Sequence, residues 1–410
     1  KTPITYYTDV LVIGSGPAGL SAAISSARTG IKTMLIEKHG CFGGTITTVG
    51  METLGWYRYE GTIDSEGIGK ELENMAQKMG STTKWPYNDS QCLDADRFKI
   101  IADKLVKDNK IIPLLHTTVV DTIVTNSSIE GVIIENKSGR QCIITKRVID
   151  CTGDGDVAYL SGCKYTKLPI DKALGVTTVI NVSNVNKTKF DEHVNKNPKY
   201  YKDWGDDWDQ ATTGKEDTLK TPYLAEEFKQ INNNKNISIN GSWSAISENG
   251  EATNLNLIHM HGFDATNAED LTVAEMTGRE QVHKTISALN QNLPGFENAK
   301  LRNLPMTIGV RDTRKIITKY NLTGKDVSSE ARFGDSIGIF PEFLDGYNIL
   351  VLPTTGRYFQ IPYRALQTEK INNLLVAGRC IGGDTISHSA TRNMMCCTVT
   401  GQGAGIAAAI

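Results

Sequence analysis

No two of the eight cysteines in this 410-residue chain are spaced as C-x-x-C. That removes the usual zinc cluster and the thioredoxin-type pair. A chain of this length buries roughly three quarters of the surface its unfolded form exposes, so it needs no disulfide framework. Buried free thiols in a reducing compartment are therefore expected. No apolar run approaches the roughly 18 residues that crossing a bilayer requires. Charge of either sign is not in excess: 44 basic against 46 acidic residues leave a net −2, too balanced for a dedicated nucleic-acid binder. Aromatics are sparse at 7%, and no internal repeat is visible. The start at Lys1 shows neither an initiator Met nor the apolar core of a signal peptide. A trimmed start and a cytoplasmic protein are expected, without membrane or nucleic acid as partner. The C-terminal Gly405–Ile410 reads as helix without a stop signal.

What is present begins near the N-terminus. Asp9-Val10-Leu11-Val12-Ile13 is an apolar run of the kind buried on both faces of a parallel sheet. It meets Gly14-Ser15-Gly16-Pro17-Ala18-Gly19, then a small-residue helix closed by Gly30, then Thr33–Ile36 as a second buried strand ending on Glu37. In such a unit Gly14 permits the tight turn, Gly16 lets backbone approach a pyrophosphate and Gly19 lets helix pack on strand. The helix N-terminus offers free N–H groups and partial positive charge to the anion. Glu37 is placed to accept ribose hydroxyls. The unit therefore predicts dinucleotide binding, by NAD or FAD.

Three further stretches bear on that choice. Gly43-Gly44-Thr45 follows Glu37 and resembles the glycine doublet of the glutathione-reductase-like flavoproteins. Arg147–Asp154, with Thr152-Gly153-Asp154 after a strand, resembles their strand-plus-ATG element, and Asn373–Arg379 followed by Asp384 resembles their C-terminal flavin motif. Ile308–Arg314, Tyr320–Thr323, Ile361–Leu366 and His388–Met395 extend the likeness over most of the chain outside 185–250. The sequence thus resembles the FAD-dependent oxidoreductase family distantly related to succinate dehydrogenase and fumarate reductase flavoproteins. The resemblance implies non-covalent FAD, since residues 45–50 offer no histidine for a covalent link. It implies an α/β fold: a Rossmann-like FAD-binding domain with parallel sheet and small β-meander over 1–160 and 346–410, and an inserted α+β substrate or cap domain over 161–345. The cofactor contacts it implies are Gly14, Ser15, Gly16, Pro17, Ala18, Gly19, Glu37, Lys38, Gly43, Gly44, Thr45, Val119, Thr152, Gly153, Asp154, Gly378, Asp384, Asn393 and Met394.

Periodicity predicts a helix from Glu66 to Met79 with Ile68, Leu72, Met75 and Met79 on its apolar face, and a second helix capped by Asp94 and carrying Phe98, Ile101 and Leu105. Strands are expected at 117–124, 129–135 and 141–150. The acidic run Asp203–Asp209 lacks EF-hand spacing and reads as a surface loop. Gly153-Asp154-Gly155-Asp156 reads as a turn beside the flavin.

For chemistry, a helix running from Ser389 into Met394–Cys397 is expected to aim its N-terminus at the reduced flavin's charge, with His388 and Arg392 at its start. Arg311 and Arg314 read either as a bidentate carboxylate clamp or as an exposed basic face. His259 and His261, two apart on a strand, suit a proton relay; no third ligand supports a metal, and none is expected. Arg311, His388 and Arg392 are the expected catalytic residues. The expected reaction passes a hydride between the flavin and a small organic substrate, carboxylates included. A flavin monooxygenase and a non-catalytic FAD-fold binding protein are the alternatives, and further copies of the chain are an open partner.

Overall fold

The computed structural model describes residues 2–84, 89–196, 199–200, 209–211, 220–221, 237–239, 245–347, 349–353 and 356–410. Most of the acidic run (Asp203–Trp208) and Asn232–Asn234 lie outside the described residues.

The N-terminal unit forms as its residue pattern requires. Strand β1 (Ile4–Ile13) buries Val10 to Ile13, helix α1 (Pro17–Arg28) follows the glycine turn, and β2 (Thr33–Ile36) is buried throughout. A one-turn helix, α2 (Thr45–Thr48), follows the glycine doublet. Helix α3 (Ile68–Lys78) buries Ile68 and Leu72 with Ala76. Met79, expected on the same face, falls past the helix end and is 43% exposed. In α4 (Ala95–Asp108) the Asp94 carboxylate accepts the Arg97 N–H, and Phe98, Ile101 and Leu105 are buried.

Strand β3 (Ile112–Leu114) precedes the meander β4 (Thr118–Thr125), β5 (Ser128–Asn136) and β6 (Gly139–Asp150). Strands β7 (Val176–Ser183), β8 (Ala252–Met260) and β9 (Lys300–Asn303) belong to a second sheet, covered by α5 (Ala268–Asn292). The chain then returns through β10 (Leu344–Gly346), β11 (Leu374–Val376), α6 (Thr385–Thr391) and α7 (Met394–Ala409).

The first sheet has seven strands in the order β3-β2-β1-β6-β5-β4, with β11 also on β6. Strands β3, β2, β1, β6 and β11 run parallel, with Leu11 between Met34 and Val148. Residues 131–144 of β5 and β6 pair antiparallel. The long β6 thus joins the meander to the parallel core, with Gly131 opposite Ile144 at one end and Val376 opposite Asp150 at the other. Helices α1 and α7 cross on small residues: an ideal Cβ on Gly401 would lie 2.0 Å from the Ala18 carbonyl oxygen, and one on Gly405 would lie 2.2 Å from that of Ala22.

Two apolar clusters follow. The first fills the faces of the parallel sheet and includes Ile316, Leu322, Val327, Phe340 and Phe343. We therefore propose that the chain rejoins the first unit near 316 rather than at 346. The second packs Val176, Ile180, Ile258 and Met260 under Ala274, Val282 and Leu289 of α5. All eight cysteines are free, seven buried and Cys41 half-buried; burial pushes the Cys397 thiol up to about 12.

Glu52 links the two clusters. Its carboxyl accepts from Thr253 Oγ1 of β8 at 2.6 Å and from the Ala95 N–H at 3.4 Å, and burial raises its pKa from 4.5 to about 7. The folded chain then holds a proton that the unfolded chain releases between these values, so stability declines as pH rises from 4.5 towards 7. Glu52→Gln is expected to remove that decline. In denaturant titrations the wild type loses about 3 kcal/mol against the variant between pH 4.5 and 8; parallel profiles would contradict the assignment.

Candidate active site

A cavity of about 920 Å³ runs along the C-terminal ends of β1, β2, β6 and β11 and on to the second sheet. That is where ligands bind in open parallel sheets, because strand ends and helix N-termini converge there.

At its first end the glycines shape a tight backbone turn. Gly14 has φ +90°, and a Cβ there would sit 2.4 Å from the Cys151 oxygen; one on Gly19 would sit 1.7 Å from the Gly14 oxygen. At Gly16 the nearest atom to such a Cβ is 3.9 Å away, so backbone faces the open cavity. Helix α1 carries no side-chain cap and no acid in its first turn, leaving its N–H groups for an anion. Gly44 at φ +51° approaches Gly16 so closely that a Cβ would lie 2.5 Å from its Cα. Gly43 does not line the cavity; its N–H donates to the Ser15 carbonyl at 2.9 Å. Gly19 also lies outside the lining, behind the turn.

Glu37 is buried, and its carboxylate accepts the Ser15 N–H at 2.8 Å, Ser15 Oγ at 2.7 Å and the His39 N–H at 3.0 Å. A carboxylate offers about four acceptor positions, so it can brace the turn and still take a ribose hydroxyl. Lys38, Thr45 and Val119 line the same stretch, as do Ser15, Pro17 and Ala18. Thr152, Gly153 and Asp154 line the middle. Their turn is held by the buried Asp150, which accepts Thr152 N–H, Thr152 Oγ1 and Ala158 N–H at 3.1, 2.7 and 2.9 Å. Burial nevertheless raises Asp150 to about 6. Burial would raise Asp154 too, but Arg379 at 2.6 Å keeps it below the usual range. Gly378, Asn393 and Met394 complete the lining from the C-terminal side.

Asp384, expected at the cofactor, stands elsewhere. It does not line the cavity; its carboxylate caps α6 through Ser387 N–H at 2.8 Å and accepts Gly324 N–H at 2.8 Å. The expected single helix from Ser389 is also two, α6 and α7, broken at Arg392-Asn393 because Asn393 is extended (φ −64°, ψ 141°). Arg392 therefore stands at the mouth of α7, whereas His388 lies inside α6, buried and outside the lining. It reaches the Arg311 carbonyl through Nε2 at 3.3 Å.

The far end gathers Arg311, Arg392, Asp345, Tyr347, His259 and His261. Residues 311–314 are not helical, and Arg314 leaves the site: it pairs with Asp156 at 2.8 Å and lies over the Tyr159 ring at 4.3 Å. The arginine that stands beside Arg311 in the cavity is Arg392. Arg392 Nη2 meets Asp345 Oδ2 at 2.7 Å, and Arg311 Nη2 stands 3.9 Å from the same oxygen. Burial and the Arg392 charge bring Arg311 down to about 10, so it stays cationic at neutral pH.

Arg311 Nη1 also lies 3.3 Å from His259 Nδ1, while His259 Nε2 lies 3.1 Å from the Asn256 carbonyl. That fixes the Nε2–H tautomer. Burial, then Arg311, lowers His259 to about 3 and His261 below its ordinary value, so both are neutral. Among the described residues no group of three or more His, Cys, Asp or Glu is arranged to hold a metal ion. Behind Arg311, Asp312 accepts Tyr347 Oη at 2.6 Å and is ion-paired with Lys315.

The arrangement defines a dinucleotide-binding flavoprotein fold in which the segment after β9 and the α6–α7 junction bring Arg311 and Arg392 to the far end of the cofactor cleft. The family model described as FAD dependent oxidoreductase matches residues 9–410. The chain belongs to that family, and its cofactor is FAD. A dihydrolipoyl dehydrogenase of Trypanosoma brucei brucei is 50% identical over 48 residues, which are 12% of this chain and 10% of that protein. A thiamine thiazole synthase of Methanococcus vannielii is 28% identical over 174 residues, 40% of this chain and 63% of that protein. The chain thus spans less than two thirds of these curated relatives. A geranylgeranyl bacteriochlorophyll reductase-like structure from Thermoplasma acidophilum superposes with TM-score 0.50 at 15% identity, covering 97% of this chain and 76% of that one, and shows the shared fold. No helix among the described residues is long and apolar enough to cross a membrane.

The residues present fit FAD: an uncapped helix N-terminus, a backbone cradle at Gly16 and Gly44, and an acid at the ribose position.

Proposed function

We propose that this FAD-dependent oxidoreductase passes a hydride between the flavin and a small organic acid. The observation that carries the reading is the pair Arg311 and Arg392 at the far end of the cleft, sharing one carboxylate between two guanidiniums. A substrate carboxylate there gains charge-assisted, planar hydrogen bonds in a partly dry site. When bound, FAD supplies the two-electron acceptor or donor. The protein's own part is to orient the acid on Arg311, whose guanidinium is steadied by neutral His259 and whose backbone carbonyl is reached by His388.

His261 is the group we assign to proton transfer. It follows β8 two residues after His259 and lines the cavity, and partial desolvation at the cavity wall and the Arg311 charge lower its pKa, so that it is neutral at pH 7. In the oxidative direction a ring nitrogen of His261 accepts the substrate proton as hydride leaves. For that direction kcat/KM is expected to fall only below the ordinary histidine range of about 6.5, and His261→Asn removes that acid limb. A limb unchanged in the variant would contradict the role.

The reaction class is tested by mixing oxidised enzyme anaerobically with a panel of small hydroxy and amino acids, and reduced enzyme with keto and unsaturated acids. Bleaching or return of the flavin colour with one acid is expected. Rapid NADPH-dependent oxygen uptake with no response to acids would favour monooxygenation instead.

A further inference from the structure

We propose that Asp345 sets the net charge of the substrate end, so that the site takes a singly charged anion in preference to a doubly charged one. The inference rests on the carboxylate-binding reading above and deepens it.

The count is local. Arg311 and Arg392 bring two positive charges, and Asp345, only 13% exposed, takes one back through Arg392 at 2.7 Å. His259 and His261 are neutral. The Asp312 charge behind the site is matched by Lys315, and Glu275 on α5 is matched by Arg279 at 2.9 Å and by the Ile308 N–H at 2.8 Å. Tyr347 keeps its proton, since burial raises its pKa and its hydroxyl is bound to Asp312. One positive charge is left over.

It sits on Arg311. Arg392 is tied to the Asp345 side chain and main-chain carbonyl, whereas Arg311 is 3.9 Å from that carboxylate and makes a neutral contact with His259. A monoanion on Arg311 brings the site to neutrality. Asp171 and Lys172, adjacent in the lining, add one charge of each sign; among the described residues a second carboxylate on the same ligand therefore meets no net positive charge and faces Asp345, and like charges a few ångströms apart in a partly buried site repel by several-fold more than in water.

Asp345 acts through the arginines, so its test must read selectivity and not activity alone. Propionate and succinate are titrated into the FAD-loaded protein, with binding followed by the change in the flavin's visible spectrum. Wild type is expected to bind propionate at least about tenfold more tightly than succinate, one charge at short range being worth at least that factor. Asp345→Asn, which keeps an oxygen for Arg392, is expected to invert the ratio, and Asp345→Glu to restore it. A wild type that binds succinate as well as propionate overturns the proposal whatever the variants do. An unchanged ratio in Asp345→Asn also overturns it and leaves the carboxylate reading standing. If neither acid perturbs the wild-type spectrum, the carboxylate reading itself falls.

Discussion

Gly19→Ala protein is expected to be purified without FAD, if it is recovered folded at all. The added methyl would lie 1.7 Å from the Gly14 oxygen and 2.8 Å from its carbonyl carbon, both backbone atoms that no rotamer change can move. Relief would require α1 to lift off the sheet. That is blocked from the other side, where α7 lies against Ala18 and Ala22 so closely that Gly401 and Gly405 have no room for a Cβ. The clash is paid in the position of the N–H groups at the start of α1, the groups offered to the pyrophosphate. A cost of about 3 kcal/mol or more translates into at least a hundredfold loss of FAD affinity, read by flavin content per chain. Gly30→Ala is the control. Gly30 has φ +88° but nothing within 4 Å of its Cβ position, so the change strains the backbone by about 1 kcal/mol and leaves FAD bound. A yellow Gly19→Ala protein at one FAD per chain would contradict the cradle.

Arg311→Met is expected to keep FAD and lose the substrate. Arg311 is half-buried among Asp345, Arg392 and His259, none of which belongs to the glycine turn or the Glu37 region. Losing a charge-assisted pair to a carboxylate in a site of this kind costs about 2–4 kcal/mol, a fall of about 30-fold to 10³-fold in kcat/KM. Arg311→Lys is expected to recover little, since an ammonium cannot hold a carboxylate in two parallel bonds while keeping the His259 contact. Loss of flavin from Arg311→Met would show that the arginine serves the cofactor, and the carboxylate assignment would fail.

Local chemistry made some of this legible in sequence. The glycine turn, Glu37, the Asp94 cap and the meander strands each depend on residues a few positions apart, where spacing fixes geometry. The two-residue spacing of His259 and His261 singled them out, and both line the cavity although His261 falls just past β8. The far end of the cleft was legible only in part. Arg392 and Asp345 are 47 residues apart, and nothing in either segment signals that β10 will pack beside α6. Asp384 reads as a polar residue after a buried strand whether it meets a cofactor or caps a helix; the free N–H groups of Ser387 and Gly324 decide it. Arg314 sits at the same sequence spacing from Arg311 in a helix or an irregular segment, and the irregular backbone sends it to Asp156 and Tyr159. Tyr347 and Asp345 were missed altogether, and the only signal was an acid and an aromatic flanking Gly346, too common a pattern to single out.

This chain is expected to hold FAD non-covalently in the cleft at the ends of β1, β2, β6 and β11. That is tested most directly by recording the visible spectrum of the purified protein, heat-denaturing it and analysing the supernatant. The two absorption bands of oxidised flavin and release of FAD, near one per chain, are expected. Colour retained by the precipitate would contradict the non-covalent attachment, and a colourless protein that free FAD cannot reconstitute would contradict the account as a whole.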